Sequence, residues 1–458
     1  MALSSRNGIL GGEESGLMLV PQESMNKIQR VRSFLRGSKR NDDYNPKVIS
    51  LGPYHHFKPE VQALEGLKPK VFDNFISRGY SQSDANFYGK TVLEVVGEAR
   101  RCYVEGSTGE FDDSQFAKMM LLDSCFLLCY MLDGFDGFWF SEMIGASFYL
   151  FIQRDLFLFE NQIPLWIVEF LFNDRFATIM GISWKELLVG HCQRNLYGEE
   201  YTVDNDMYRD GKPLHLLQAF QTLMACKSNT TPTVTPLSTH SSWWGRCCPN
   251  FMRTQENSTI IKSQKDSFEK YGYVFRSVMD LKAKGIHFGH SDNIYSVTSI
   301  NFESNYAYAK LKLPIWYASF LSKVFFTNML AYEICSNGTN GNELEITSYI
   351  NFMKSLIVCP NDVKELREKR IISNTLGDDM KVVQLFKALN PHGIDNPRIF
   401  KEVKQKIQQH YDSKANSWMA ELVYTYLRSP WTIMALLAAS LLLLLTLAQT
   451  YVAFNPRN

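Results

Sequence analysis

Apolar residues recur three and four positions apart over much of this chain. In "VQALEGLKPKVFDNFISRGY", which begins at Val61, polar residues fill the positions between them, and the pattern predicts amphipathic helices from Val61 to Arg101. The next stretches are greasier. "FAKMMLLDSCFLLCYML" and "RDLFLFENQIPLWIVEFLF" read as buried helices, each interrupted by carboxylates, with Pro164 ending or restarting a helix inside the second. Upstream, "NKIQRVRSFLRGSKR" sets Ile28, Val31 and Leu35 at helical spacing among arginines and lysines. It reads as a solvated first helix, with a helix lying on anionic lipid as the alternative.

The period changes in the second half. "KGIHFGHSDNIYSVTSINFESNYAYAKLKLPIW" alternates, is rich in aromatic and β-branched residues, and carries Gly and Asn turns, so two or three short strands are expected. Helical spacing returns in "FFTNMLAYEIC", "ITSYINFMKSLI", "PNDVKELREKRII" and "MKVVQLFKALN". The predicted fold is therefore mainly α: a large helical head with a small β element in its second half, plus one C-terminal transmembrane helix.

That last helix is the strongest single signal. From Ser429 to Pro456 there is no ionisable acid or base, "LLLLLTL" lies at the centre, and Trp431 and Tyr451 stand near the ends. Such a run is long enough to span a bilayer, and aromatic residues favour the two interfaces. The first forty residues contain no apolar run suited to a signal peptide, so the expectation is a C-terminal anchor with the head in the cytosol. Plasma membrane and endomembrane are both compatible with this pattern.

Composition narrows the function. Lys and Arg total 48 against 47 Asp and Glu, a net charge of +1, so no global field draws the head to nucleic acid. Nine cysteines without CxxC spacing support neither a disulfide scaffold nor a zinc ribbon. "SNTTPTVTPLSTHSS", from Ser228, lacks the apolar content of a core and reads as a flexible loop. The expected organisation is a disordered 1–25, a helical half over 26–226, a loop over 227–260, a second half over 261–428, and the membrane helix over 429–454. "WWGRCCP" follows the loop, with Cys247 and Cys248 as candidates for acylation or tryptophan-led docking. Asn229, Asn257 and Asn337 begin glycosylation sequons that matter only if the head is lumenal.

No spacing announces catalysis: HExxH, GxSxG, the P-loop and GxGxxG are all missing. The notable polar residues are Asp123, Asp155 and Glu160, set in apolar surroundings where an unpaired charge is costly, together with Asn161 and His55. Two readings compete. These groups, joined by Glu65, could perform acid–base work or hold a divalent metal; alternatively, Asp123 and Asp155 pair with arginine or cap helices while Glu160 and Asn161 satisfy backbone at the Pro164 break. The second is favoured.

Several phrases then assemble in order: "NPKVISLGPYHHFKPEVQALEGLKPK", "MMLLDSCFLLCYML", "RDLFLFENQIPLWIVEFLF", "LHLLQAF", "LKAKGIHF", "LKLPIW", "FTNMLAYEIC" and "LGDDMKVVQLFKALN". This series resembles the plant family called domain of unknown function 247, also known as UPF0481, from about Asn26 to Phe454. The resemblance implies a single-pass membrane protein with no established enzymatic activity. It implies recognition roles too, such as the pollen-side self-incompatibility assigned to some grass members. Within it, "SLGPYHH" is the entry motif, where Gly52 and Pro53 turn the chain and Tyr54 and His55 pack against the first helices. The expected function is a non-enzymatic recognition or scaffolding protein, held by membrane lipid through its last helix and meeting an unknown protein partner. No nucleic acid, cofactor or metal is called for. The competing reading is a membrane-tethered, metal-assisted hydrolase using His55, Asp123, Asp155 and Glu160.

Overall fold

The computed structural model describes residues 27–36, 42–78, 82–136, 139–197, 211–225, 276–305, 308–336, 344–413 and 430–454. The Ser/Thr-rich loop, the paired cysteines and tryptophans after it, the N-terminal 1–25 and all three sequons lie outside these residues. The described chain is mainly helical with small sheets in the second half. It forms two compact units. The first takes Met1–Cys226, Ser319–Thr347 and Ala388–Asn396, and the second Lys227–Ala318, Ser348–Lys387 and Pro397–Asn458.

The first unit is built around the helix Asp113–Asp136. Phe116, Met120, Cys125, Phe126, Leu128 and Cys129 are all buried on it. The span Asp113–Asp133 is long and apolar enough to cross a membrane by length and composition, yet 83% of it is buried inside the protein. Helices Lys68–Arg78, Ala85–Glu94 and Leu165–Arg175 pack on it. Cys125 and Cys129 behave as small buried hydrophobes, as their neighbours suggest.

One expectation needs correction here. The helix predicted around Ile28 is confined to Ser33–Arg36. Ile28 is extended instead, because its N–H donates to the Cys102 carbonyl at 2.8 Å and its own carbonyl accepts from Val104 at 3.1 Å. Ile28, Val31 and Leu35 are nonetheless buried, so the spacing marked the core-facing residues while tertiary pairing set the backbone. The greasy run from Arg154 breaks at Pro164 as expected, into helices Ala146–Leu156 and Leu165–Arg175 separated by the irregular segment 157–164. Pro164, which cannot donate to a preceding turn, stands immediately before the second.

The second unit carries the strands β1 (Ile286–His290), β2 (Asn301–Asn305), β3 (Tyr308–Leu313), β4 (Trp316–Ala318) and β5 (Ile372–Asn374). The first sheet has the order β1-β3-β2, β1 parallel and β2 antiparallel to the central β3. β4 and β5 make a parallel pair. β5 occupies the end of "PNDVKELREKRII", whose helix stops at Glu368.

The C-terminal helix Pro430–Phe454 is 25 residues long. Leu437, Leu441 to Leu445 and Leu447 are all exposed on it.

Candidate functional site

The entry motif is an irregular segment, Lys47 to His55, threaded past buried polar side chains that grip its backbone position by position. Asp155, at the end of helix Ala146–Leu156, accepts three consecutive amides in one carboxylate oxygen: Lys47 at 2.8 Å, Val48 at 2.8 Å and Ile49 at 3.1 Å. Its other oxygen takes the Arg154 guanidinium at 2.7 Å. Burial pushes the Asp155 carboxyl up, and the amides and Arg154 pull it back only in part. Asn161 continues the grip. Its Oδ1 accepts from Leu51 at 2.7 Å, and its Nδ2 donates to the carbonyls of Ile49 and Asp155 at 3.1 and 3.0 Å.

Asp123, midway along the buried helix Asp113–Asp136, accepts the Gly52 amide at 2.7 Å and pairs with Lys68 at 2.5 Å. Lys68 is 1% exposed and donates as well to the Ser50 carbonyl and to Glu65. A buried ammonium with three oxygen partners, two of them carboxylates, is satisfied; one stripped of Asp123 keeps only the more exposed Glu65. Glu65 lies on the margin of this group, and burial pushes its carboxyl up to about 7 against the pull of Lys68. His56 stands 3.5 Å from the second Glu65 oxygen.

Gly52 is the tightest point. Its φ is +76°, and a β-carbon there would fall 2.8 Å from both the Gln162 carbonyl and the Tyr103 hydroxyl. Only glycine meets both demands. Gln162 in turn spans three backbones, donating to the Leu156 and Leu158 carbonyls and accepting from Leu217.

Glu160 closes the series. One of its oxygens accepts the Val31 amide at 2.6 Å and the Arg36 guanidinium. The other lies 3.3 Å from His55 Nε2, close enough to attract but out of line for a hydrogen bond. Burial alone would raise the Glu160 carboxyl, but His55 and Arg36 outweigh it and hold it below the usual range. His55 is itself buried, which pushes its pKa down. Tyr54 anchors the turn from the other side, donating to the Ile28 carbonyl at 2.8 Å beneath the Arg30 guanidinium.

The five sequence candidates thus lie along one segment, but they face successive positions of it and each carboxylate has its own cation: Lys68 for Asp123, Arg154 for Asp155, Arg36 for Glu160. Among the described residues no group of three or more His, Cys, Asp or Glu is placed to hold a metal ion. Sequence reasoning missed Lys68 and Arg36, since nothing local marks one lysine or arginine as buried or partnered. It missed other backbone holders too. Glu333 accepts the amides of Ile346 and Thr347 at 2.9 and 2.7 Å, Asn328 bridges Phe159, Asp43 and Val324, and Asp362 accepts from Met279, Val358 and Cys359.

A family described as "plant protein of unknown function", DUF247, matches residues 28–445. The chain belongs to DUF247. As a DUF247 protein it is 28% identical over 425 residues to UPF0481 protein At3g47200 of Arabidopsis thaliana, covering 90% of this chain and 82% of that relative. It is 22% identical over 471 residues to putative UPF0481 protein At3g02645 of the same plant, covering 90% and 87%. No solved structure matches. The DUF247 match takes in the whole entry motif and runs into the C-terminal helix.

Proposed function

We propose that this DUF247 protein is a non-enzymatic recognition or scaffolding protein, anchored in a membrane by helix Pro430–Phe454 and acting through protein contacts. The observation that carries the non-enzymatic part is the pairing of Asp123, Asp155 and Glu160. Each carboxylate is nearly or fully buried, bound to a cation and occupied by backbone amides of residues 31–52. A general base or metal ligand needs a free lone pair facing substrate; the amide-bound oxygens here hold the fold, and the second Glu160 oxygen, without a hydrogen bond, is shut in beside buried His55. That is what weighs against the metal-assisted hydrolase built on His55, Asp123, Asp155 and Glu160.

Anchoring is supported by a helix of 25 residues with leucines exposed along its middle. At 1.5 Å per residue it reaches about 37 Å, more than a hydrocarbon core of about 30 Å. Self/non-self recognition, as in the grass members of the family, is the finest form of this proposal, and the head is placed on the cytosolic side.

The test is a membrane extraction with a topology readout. The full chain should resist alkaline carbonate, a version ending at Arg428 should be released, and a protease-accessible head without glycans at Asn229, Asn257 and Asn337 should confirm orientation. Release of the full chain by carbonate would defeat the anchor. Glycosylated sequons would move recognition to the lumen or cell exterior. Turnover of a model ester or phosphoester that disappears in Glu160→Gln, in a variant with unchanged melting temperature, would replace the non-enzymatic reading.

A further inference from the structure

The outward face of the three-stranded sheet in the second unit collects positive charge. Along β1, Ile286 and Phe288 are buried while His287 is exposed, and along β3, Ala309, Leu311 and Leu313 are buried while Lys310 and Lys312 alternate with them. The parallel register sets His287 opposite Lys310 and Gly289 opposite Lys312. Lys310 lies flat across Gly289: a β-carbon at 289 would stand 2.8 Å from its Nζ, so the glycine makes room for the ammonium.

The turn after helix Pro360–Glu368 brings two further cations, Lys369 and Arg370. His287 lies in the field of Lys369, Lys282 and Lys310, offset in part by Glu365, and His290 in that of Lys310 and Arg370. Acids border this patch, Glu303 standing opposite Lys310 in the antiparallel register, but their ion pairs go to other lysines. Glu365 pairs with Lys282, and Lys312 takes both Glu303 at 2.6 Å and Asp292 at 3.2 Å. Among the described residues Lys310, Lys369 and Arg370 have no ion pair, and the buried His290 Nδ1 has no hydrogen-bond partner.

Arg370 is an unexpected residue for its place. The Arg370 amide bonds the Arg367 carbonyl at 2.9 Å and the Ile371 amide bonds that of Leu366 at 2.8 Å, with φ +58° at Arg370. This is the helix-closing turn in which glycine is the unstrained choice. The negative end of the helix favours a cation nearby, but Lys369 already supplies one.

We propose that Lys310, Lys369 and Arg370, with His287, form a docking surface for the phosphate groups of anionic lipid headgroups. The choice of lipid rests on reading helix Pro430–Phe454 as a membrane anchor, since that helix belongs to the same unit and a tether raises the effective concentration of the bilayer surface. Unpaired cations on an exposed sheet face complement a negatively charged leaflet.

The experiment is hydrogen exchange on the full chain in nanodiscs, neutral phosphatidylcholine against discs containing phosphatidylserine. Residues 286–290 and 369–374 should exchange roughly threefold more slowly in the anionic discs, an effect lost at high salt as screening requires. Arg370→Gly, which relieves the left-handed backbone and so should melt no lower than the parent, should weaken that protection; Lys310→Gln with Arg370→Gly should abolish it. Equal exchange in both discs overturns the surface. Full protection in neutral discs from inorganic phosphate or a phosphopeptide overturns the lipid assignment. Failure to enter neutral discs defeats the anchor alone; flotation of the same chain with phosphatidylserine vesicles, sensitive to Arg370→Gly, then supports the surface and its absence overturns it.

Discussion

Two helices of nearly equal length, Asp113–Asp136 and Pro430–Phe454, are both apolar enough to invite the same description, and they occupy opposite environments. The first is buried within the head and carries Asp123 at its middle, held by Lys68 and the Gly52 amide. The second has no Asp, Glu, Lys, Arg or His and exposes leucine along its centre. A carboxylate inside an apolar helix is tolerable only where tertiary structure brings it a cation and donors. Its presence therefore identifies a helix that faces protein, and a long apolar helix without such a residue has no comparable need of protein partners.

The largest expected effect comes from removing that carboxylate. Asp123→Ala leaves buried Lys68 with Glu65 as its remaining carboxylate and the Gly52 amide without its acceptor, and should destabilise the head by about 3–5 kcal/mol, read as a drop in denaturation midpoint. Unchanged stability would mean that the pair does not distinguish the two helices. Next, Leu128→Ala on the buried helix should cost about 2–5 kcal/mol, whereas Leu443→Ala on the exposed helix should leave head stability within about 0.5 kcal/mol. Equal losses would show that the C-terminal helix packs on the head.

Gly52→Ala tests the segment that Asp123 grips. With a positive φ and a 2.8 Å approach on two sides, it should cost about 1–3 kcal/mol, while Gly89→Ala, at a site with open space around it, should be neutral or stabilising. The smallest effect is one of pH. The Glu65 carboxyl is raised to about 7 in the folded state, so between its ordinary range and pH 7 the unfolded chain gives up this proton before the folded one does. Its contribution to stability is present at low pH and declines as pH rises through that window. Glu65→Gln should flatten this part of the stability profile, and urea midpoints at pH 5 and pH 8 would show it.

Much of the helical scaffold was legible because its signals are local. Spacing marked the helices between Gln62 and Arg101, the buried helix around Asp123, the break at Pro164 and the strands after Gly285. It misjudged Ile28, which is buried and pairs with Cys102 and Val104 rather than forming a turn of helix. The carboxylates were recognisable as costly residues in apolar runs. Their role as holders of the Lys47–His55 backbone was not, since amides leave no trace in side-chain spacing. Gly52 read as a turn glycine; the crowding by Gln162 and Tyr103 that makes it irreplaceable comes from residues 51 to 110 positions away.

From composition and period alone one could read the helical class, the small sheet, the polar residues that a core must satisfy and the ion-free C-terminal run. Folding decided which charges meet. Glu160 finds Arg36 across 124 positions, Asn328 finds the Asp43 carbonyl across 285, and Arg370, Lys310 and His290 are grouped by a sheet and a helix end. Periodicity follows from the geometry of a few successive residues, whereas an ion pair forms only where packing brings two distant side chains within a few ångströms and removes the water between them.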